Sequence, residues 1–350
     1  MKRPLYLILL TTLAMVSCTK EIVFSGEEAE PKMVINCAAT VGAPLSATLS
    51  KSIFFLTQEE DIDTSVPEDL KVSLFVNDLP MGEMRHTKDS LIPQESYPPI
   101  LIQYFTSDYR PAVGDVIRIE ATASGFDKAV GTTSPLPGAV SVAVKGIALN
   151  SNSEYNLEYV SWQGFYDLWI KSYATLTLEI TDPNPGQTDF FMLYGGYDFP
   201  MEHVNVPNAY ARMRINTSDP VFANQTNDIA SSILVYRPYT QYLFRDLLFD
   251  GSSYLMRIPI DFIIGLYDLA DTALLNPAKV SLPIEHLSSE LNQYLYTLTW
   301  VEDGAEFLTE PTQVHNNIQG GYGIVGGKHI DTLSFTLPLP DFSIINDTLI

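Results

Sequence analysis

Three features of the chain predict a mainly β protein with two β-sandwich-like domains. Short runs in which apolar and polar residues alternate recur from Met33 to Phe262, the period of half-buried strands. Ser134-Pro135-Leu136-Pro137-Gly138 interrupts them, and two prolines with a glycine cannot continue a sheet. A helical stripe is clear at one place, Leu287, Leu291, Tyr294, Leu295, Leu298 and Val301. One amphipathic helix is therefore expected at about residues 286–302, inside the second domain.

Taken in order, the elements begin with a leader. Lys2 and Arg3 precede an uncharged apolar run, Leu5 to Val16. That run is too short to span a bilayer and reads as a secretory signal. Met15-Val16-Ser17-Cys18 resembles a bacterial lipobox, which would make Cys18 the lipid-bearing first residue of the mature chain. Several acyl chains at about 0.8 kcal/mol per buried methylene would hold it firmly to a membrane. Residues 1–17 are thus expected to be a lipoprotein signal peptide and 18–30 a polar tether. Residues 31–137 are expected as an immunoglobulin-like β-sandwich, and 138–350 as a β-rich domain carrying the helix.

In the first domain, strands are expected at Met33 to Ala39, Leu45 to Ser50, Val72 to Val76, Met81 to His86, Ile100 to Phe105 and Val116 to Ala123. Asn77-Asp78 supplies a turn. Glu59 to Asp69 is acidic enough for a solvated loop. In the second domain, strands are expected at Thr175 to Ile180, Phe190 to Tyr194, Ile233 to Tyr236 and Leu255 to Phe262. Thr181-Asp182-Pro183-Asn184-Pro185-Gly186 is a turn between the first two. Gln241 to Phe249 reads as one short helix stopped by Asp250-Gly251.

Formal charge is −22, with 42 acidic against 20 basic residues. Such a surface repels phosphate backbones and excludes nucleic acid as a partner. Cys37 stands in an apolar strand and reads as a buried, inert thiol. Gly321-Tyr322-Gly323-Ile324-Val325-Gly326 matches a dinucleotide fingerprint by letter. It lacks a preceding strand and has no room for a crossover helix, so it reads as a glycine-rich bend where backbone packs closely. The five histidines show no zinc-protease spacing, and no nucleophile elbow occurs. Asp61 and Asp63 lack the glycine of a calcium loop. No metal or cofactor is expected, and a Ser-His-Asp set assembled from distant residues stays open. Tyr236, Arg237, Tyr239, Tyr242 and Phe244 crowd one stretch with residue types enriched at binding surfaces,. They form the candidate ligand or partner surface, with packing as the alternative.

The order of these pieces resembles one family. Cys18-Thr19-Lys20-Glu21-Ile22 leads into Glu30-Pro31-Lys32-Met33-Val34-Ile35-Asn36, and the first domain closes with Pro135-Leu136-Pro137. Thr181-Asp182-Pro183, Phe249-Asp250-Gly251 and the helix with Tyr294 follow. Last comes Glu310-Pro311, then Asn317-Ile318-Gln319-Gly320-Gly321-Tyr322-Gly323-Ile324-Val325-Gly326-Gly327. This resembles the Bacteroidetes family DUF4249 over nearly the whole chain. The resemblance implies an outer-membrane lipoprotein, with Lys20-Glu21 similar to signals for the cell exterior, and a TonB-dependent transporter as partner. It implies no catalytic residues. The resulting expectation is a non-enzymatic surface lipoprotein accessory to nutrient capture, with a glycan, peptide or other small molecule as undefined ligand. A surface hydrolase and a structural or adhesive protein are the alternatives.

Overall fold

The computed structural model describes residues 30–52, 67–92, 99–150, 154–160, 165–196, 201–202, 210–215, 218–223, 239–266, 278–302 and 313–337. The fold is mainly β. The first half supplies β1 (Met33–Thr40), β2 (Leu45–Lys51), β3 (Lys71–Val76), β4 (Leu79–Glu83), β5 (Arg85–Ile92), β6 (Ile100–Ser107), β7 (Ile117–Thr122) and β8 (Ala129–Thr132). The second half supplies β9 (Ser141–Leu149), β10 (Glu154–Val160), β11 (Phe165–Thr181), β12 (Phe190–Gly196), β13 (Met201–Glu202), β14 (Tyr210–Ile215), β15 (Tyr239–Arg245), β16 (Ser253–Leu266), β17 (Ala278–Leu287), β18 (Ile318–Gln319) and β19 (Tyr322–Leu337).

Burial follows the alternation that predicts the early strands. Met33, Ile35, Cys37 and Ala39 are buried on β1, and Leu45, Ala47 and Leu49 on β2. Asn77 and Asp78 both take positive φ, 51° and 64°. That is the twist a two-residue hairpin needs, and Asn and Asp tolerate it. Strands β1, β2, β6 and β5 lie side by side, and β8, β7, β3 and β4 form a facing sheet. Lettered in chain order, these are the ABED and C′CFG layers of an immunoglobulin-type sandwich.

One sheet runs through both halves of the chain. Its order is β15-β12-β17-β19-β1-β2-β6-β5, with β13 beside β17. The joint is β19 lying parallel to β1, Val34 opposite Tyr322 and Thr40 opposite Lys328. A third sheet, β10-β11-β16-β14 with β9 beside β11, belongs to the second half. Because strand side chains alternate faces, β19 serves three packing groups. Val325 enters the first core, between residues 33 and 136. Leu333 and Phe335, of the same parity, enter the second core with Leu176, Ile258 and Ile284. Ile324, of opposite parity, meets Met192, Leu287 and Leu291 on the other face, where the helix Ser289–Glu302 lies. Two smaller sheets thus cover neighbouring parts of one face of the long sheet, and the helix covers part of the other.

The helix starts at Ser289, later than the stripe suggests. Leu287 ends β17 and reaches the helix from the sheet. Ser288 caps the helix: its Oγ accepts from the Leu291 N–H at 3.4 Å and from the Gly327 N–H at 3.0 Å,. Gln241 to Phe249 is a second correction. Residues 239–245 are strand β15, followed by a single 3-10 turn, Asp246–Leu248. Period-2 burial of Tyr242, Phe244 and Asp246 beside β12 overrides the aromatic run's helical look,. The expected strand at 233–236 and the loop acids Asp61 and Asp63 lie outside the described residues. Cys37 is free and buried, and desolvation pushes its thiol up to about 12.

The glycine-rich stretch is a junction between β18 and β19, and close backbone approach accounts for its composition. Gly323 has φ +109°, and a side chain there would run into the Ile35 carbonyl on β1. Gly327 leaves room for Leu136, and Gly326 for Leu291. Asn317 secures the segment: its Oδ1 accepts from the Val325 N–H at 2.9 Å, and its Nδ2 donates to the carbonyls of Val325 at 2.8 Å and Thr132 at 3.1 Å.

Candidate functional site

Two turns at one end of the second sandwich gather acidic side chains. Residues 182–189 join β11 to β12, and residues 246–252 join β15 to β16. The first is rich in Pro, Asn, Asp and Gly and the second carries Asp246 and Asp250-Gly251, residue types whose local hydrogen bonding and φ range suit tight turns. Side-chain carboxylates stitch the two turns together. Asp182 accepts from the N–H groups of Asn184 at 2.8 Å and Gly251 at 2.6 Å. Asp250 accepts from the Gly186 N–H at 2.7 Å, and Asp246 from the Asp189 N–H at 3.1 Å. Asp182, Asp189 and Asp246 are buried, while Asp250 is exposed.

His286, on β17, brings an imidazole to the edge of this group. Its Nε2 lies 3.1 Å from Asp189 Oδ1, and its Nδ1 lies 3.0 Å from the carbonyl of Gly138. Phe191 packs on the ring at 5.0 Å between centroids. The Asn184 Nδ2 also donates to both Asp189 oxygens, at 3.0 and 3.1 Å. Burial raises the Asp189 carboxyl, but the hydrogen bonds from His286 and Asn184 outweigh it and hold the group below the usual carboxylate range,. Asp246 goes the other way. Desolvation raises it, and the nearby Asp189 and Asp182 charges add to the rise.

Oxygens of Asp182, Asp246 and Asp250 come within 4.8 Å of one another, close enough to hold a metal ion. Hard oxygen donors of this kind suit calcium or magnesium, although calcium takes about six to eight oxygens. Each of the three carboxylates already accepts a backbone N–H, so the arrangement has a structural task without an ion. The His286–Asp189 pair has the orienting half of a hydrolase triad. Its second ring nitrogen faces a backbone carbonyl, where a triad would place a hydroxyl.

The sequence-predicted surface divides. Tyr236 and Arg237 lie outside the described residues, and Tyr239 opens β15. Tyr242 and Phe244 are core, which corrects their placement on a ligand surface. Phe244 is fully buried, stacked 5.2 Å from Phe191 and edge-on to Phe222 at 5.5 Å. The Tyr242 hydroxyl donates to the Ile215 carbonyl at 2.8 Å. The register explains both positions: they stand opposite Leu193 and Phe191, on the face that packs the second core. Cys18 lies outside the described residues. Asp189, Asp246 and His286 escaped the sequence reading because they are scattered over about 100 residues. Asp182-Pro183 and Asp250-Gly251 signal turns, with nothing to mark them as neighbours.

Among the described residues, no helix is long and apolar enough to cross a membrane. No curated protein matches the chain. A family model described as a domain of unknown function, DUF4249, matches residues 19–334, and the chain belongs to that family.

Proposed function

We propose that this chain is a non-enzymatic, lipid-anchored protein of the outer membrane, facing the cell exterior. Its role in this reading is accessory to a TonB-dependent transporter, in capturing a nutrient. The observation that carries the proposal is the N-terminus: a basic start, the apolar run Leu5 to Val16, and Ser17-Cys18. The family match opens at Thr19, directly behind the cysteine. A chain of this kind needs a folded body on a tether. The residues between Cys18 and Met33 would reach at most roughly 50 Å fully extended. The acidic balance of the body suits an exposed, soluble face.

Affinity pull-down from gently solubilised outer membrane tests partner and location together. The expected result is co-purification of a transporter, with slower uptake of its substrate when the gene is deleted. Absence of any transporter together with intact uptake would sink the accessory role. Cys18→Ala separates the anchor from that role, since it should leave the protein unprocessed or release it from membranes. Unchanged attachment and mass in this variant would rule lipidation out.

A further inference from the structure

The seam between the two halves is held by polar contacts from the second half onto residues 134–140. The Ser134 N–H and hydroxyl donate to the two Glu290 oxygens at 2.8 and 2.9 Å. Leu136 keeps its backbone in the first half, its N–H on the Asp115 carbonyl and its carbonyl on the Gly114 N–H, both at 2.9 Å. Its side chain fills the space left by Gly327. The Val140 N–H donates to Asp331 Oδ2 at 2.7 Å. Between these points, the Gly138 carbonyl has the His286 ring as a partner.

The chemistry of that contact restricts the ring. A carbonyl oxygen can only accept, so Nδ1 must carry a proton. Asp189 Oδ1, on the other side, already receives the Asn184 Nδ2, and an ionised carboxylate can only accept,. Nε2 must then carry a proton as well. A neutral imidazole has one N–H and cannot satisfy both partners. With a side chain only 3% exposed, the ring has no access to bulk water to make good the loss.

We propose that His286 is a buried imidazolium clamp, which fastens the linker at Gly138 to Asp189 at the end of the turn before β12 and lets go of one partner when the ring becomes neutral. Groups facing it from the packed elements fit this role. Asp189 ends the turn just before β12, with the Asp246 and Asp182 carboxylates behind it in the two turns. On β19, His329 is its cross-strand neighbour and Asp331 its diagonal neighbour. The His329 Nδ1 is buried and meets no hydrogen-bond partner among the described residues, so it does not compete for either acceptor. Glu285 and Lys328 pair at 2.8 Å. Their positions have the opposite parity to His286 and His329, which puts them on the helix side of the sheet.

Nitrogen NMR of the His286 ring in the whole chain tests the clamp directly. Both ring nitrogens should carry protons while both contacts stand, followed over about pH 5–8, where histidine side chains in general change charge. A neutral tautomer throughout that range would overturn the proposal. Amide exchange at residues 138–140, corrected for intrinsic rate, should lose at least about tenfold protection as the ring becomes neutral, the scale of one charge-assisted hydrogen bond. His286→Phe keeps a ring without donors, and its exchange should be fast and flat across the same range. Should that variant fail to fold, the wild-type measurements still decide. Protection that stays constant while the ring loses its proton would overturn the clamp.

Discussion

Among the described residues, seven of the eight buried polar or charged ones belong to the second half of the chain: Asp182, Asp189, Asp219, Asp246, Glu285, His286 and Ser288. Thr133 alone belongs to the first. The first core is apolar, and it is closed from outside its own segment by Ile318 and Val325. Among the described residues, the second core draws only on those between Val140 and Phe335, and its turns are tied together by carboxylates. A short immunoglobulin-type sandwich can thus be completed by a distant strand. Both halves tie turns with carboxylates, but Asp69 and Asp115 of the first do so at exposed or half-buried positions and Asp182 and Asp246 of the second at buried ones. The first half should be sensitive to loss of the C-terminal segment, and the second to pH.

The largest test of that contrast is to express residues 31–137 alone. Burial of Ile318 and Val325 contributes about 3–6 kcal/mol at usual side-chain values, a large share of a domain's total of about 5–15 kcal/mol. The fragment should be unfolded or marginal in urea titration. Cooperative unfolding as stable as the full chain would show that the first core needs no outside residues. Next in size is Phe244→Ala, which should lower stability by about 3–5 kcal/mol, as for other buried aromatics. A loss under 1 kcal/mol (roughly the surface range) would return Phe244 to the candidate surface.

Asn317→Ala strips hydrogen bonds from both backbone groups of Val325 and should cost about 1–3 kcal/mol. Its effect should fall on the first core, seen as faster amide exchange on β1 and β8. Exchange that rises only in the second half would contradict the junction.

Two pH effects should arise at the buried carboxylates of the second half. Asp189 titrates below its unfolded value. Its contribution is present above the ordinary carboxylate range and is lost as pH falls through the depressed value. Asp246 titrates above its unfolded value, so its contribution is present at acid pH and is lost as pH rises through the folded value. Asp246→Asn keeps an acceptor for the Asp189 N–H and removes a charge. It should raise the melting temperature at neutral pH and flatten that limb; a fall at neutral pH would show that the charge is needed. The smallest expected effect is at Cys37. With a thiol pushed up to about 12, it should resist alkylation at mildly alkaline pH in the folded chain and react on unfolding. Rapid native labelling would show the first core to be open.

The first half was the more legible of the two. Strands β1, β2, β3 and β7 are covered on one face, so burial keeps the period of two that the residues display,. Strand β17 lacks that signature because Ile284, Glu285, His286 and Leu287 are all buried, against sheet on one side and helix on the other. A run with Pro283, Glu285 and His286 does not look like a strand covered on both faces. Leu287 falls in phase with the helical stripe by coincidence of spacing and pulled the expected helix start into the strand. The glycines at 320–327 signalled close approach, but their partners on β1, the linker and the helix are invisible without the fold. The carboxylate cluster was hidden for the same reason: each Asp looks like an ordinary turn residue, and its partners come from the other turn.

The parallel pairing of β1 with β19 also sets a timetable. Cys37 lies opposite Val325, so β1 waits for a partner made some 290 residues later. At synthesis rates of about 5–20 residues per second, that interval is on the order of 15–60 s. Through it, the first sandwich presents an unpaired strand edge of the kind that recruits other chains. A newborn copy is thus most exposed to wrong pairing just before its last residues arrive, and a ribosome stalled short of β19 would leave it in that state.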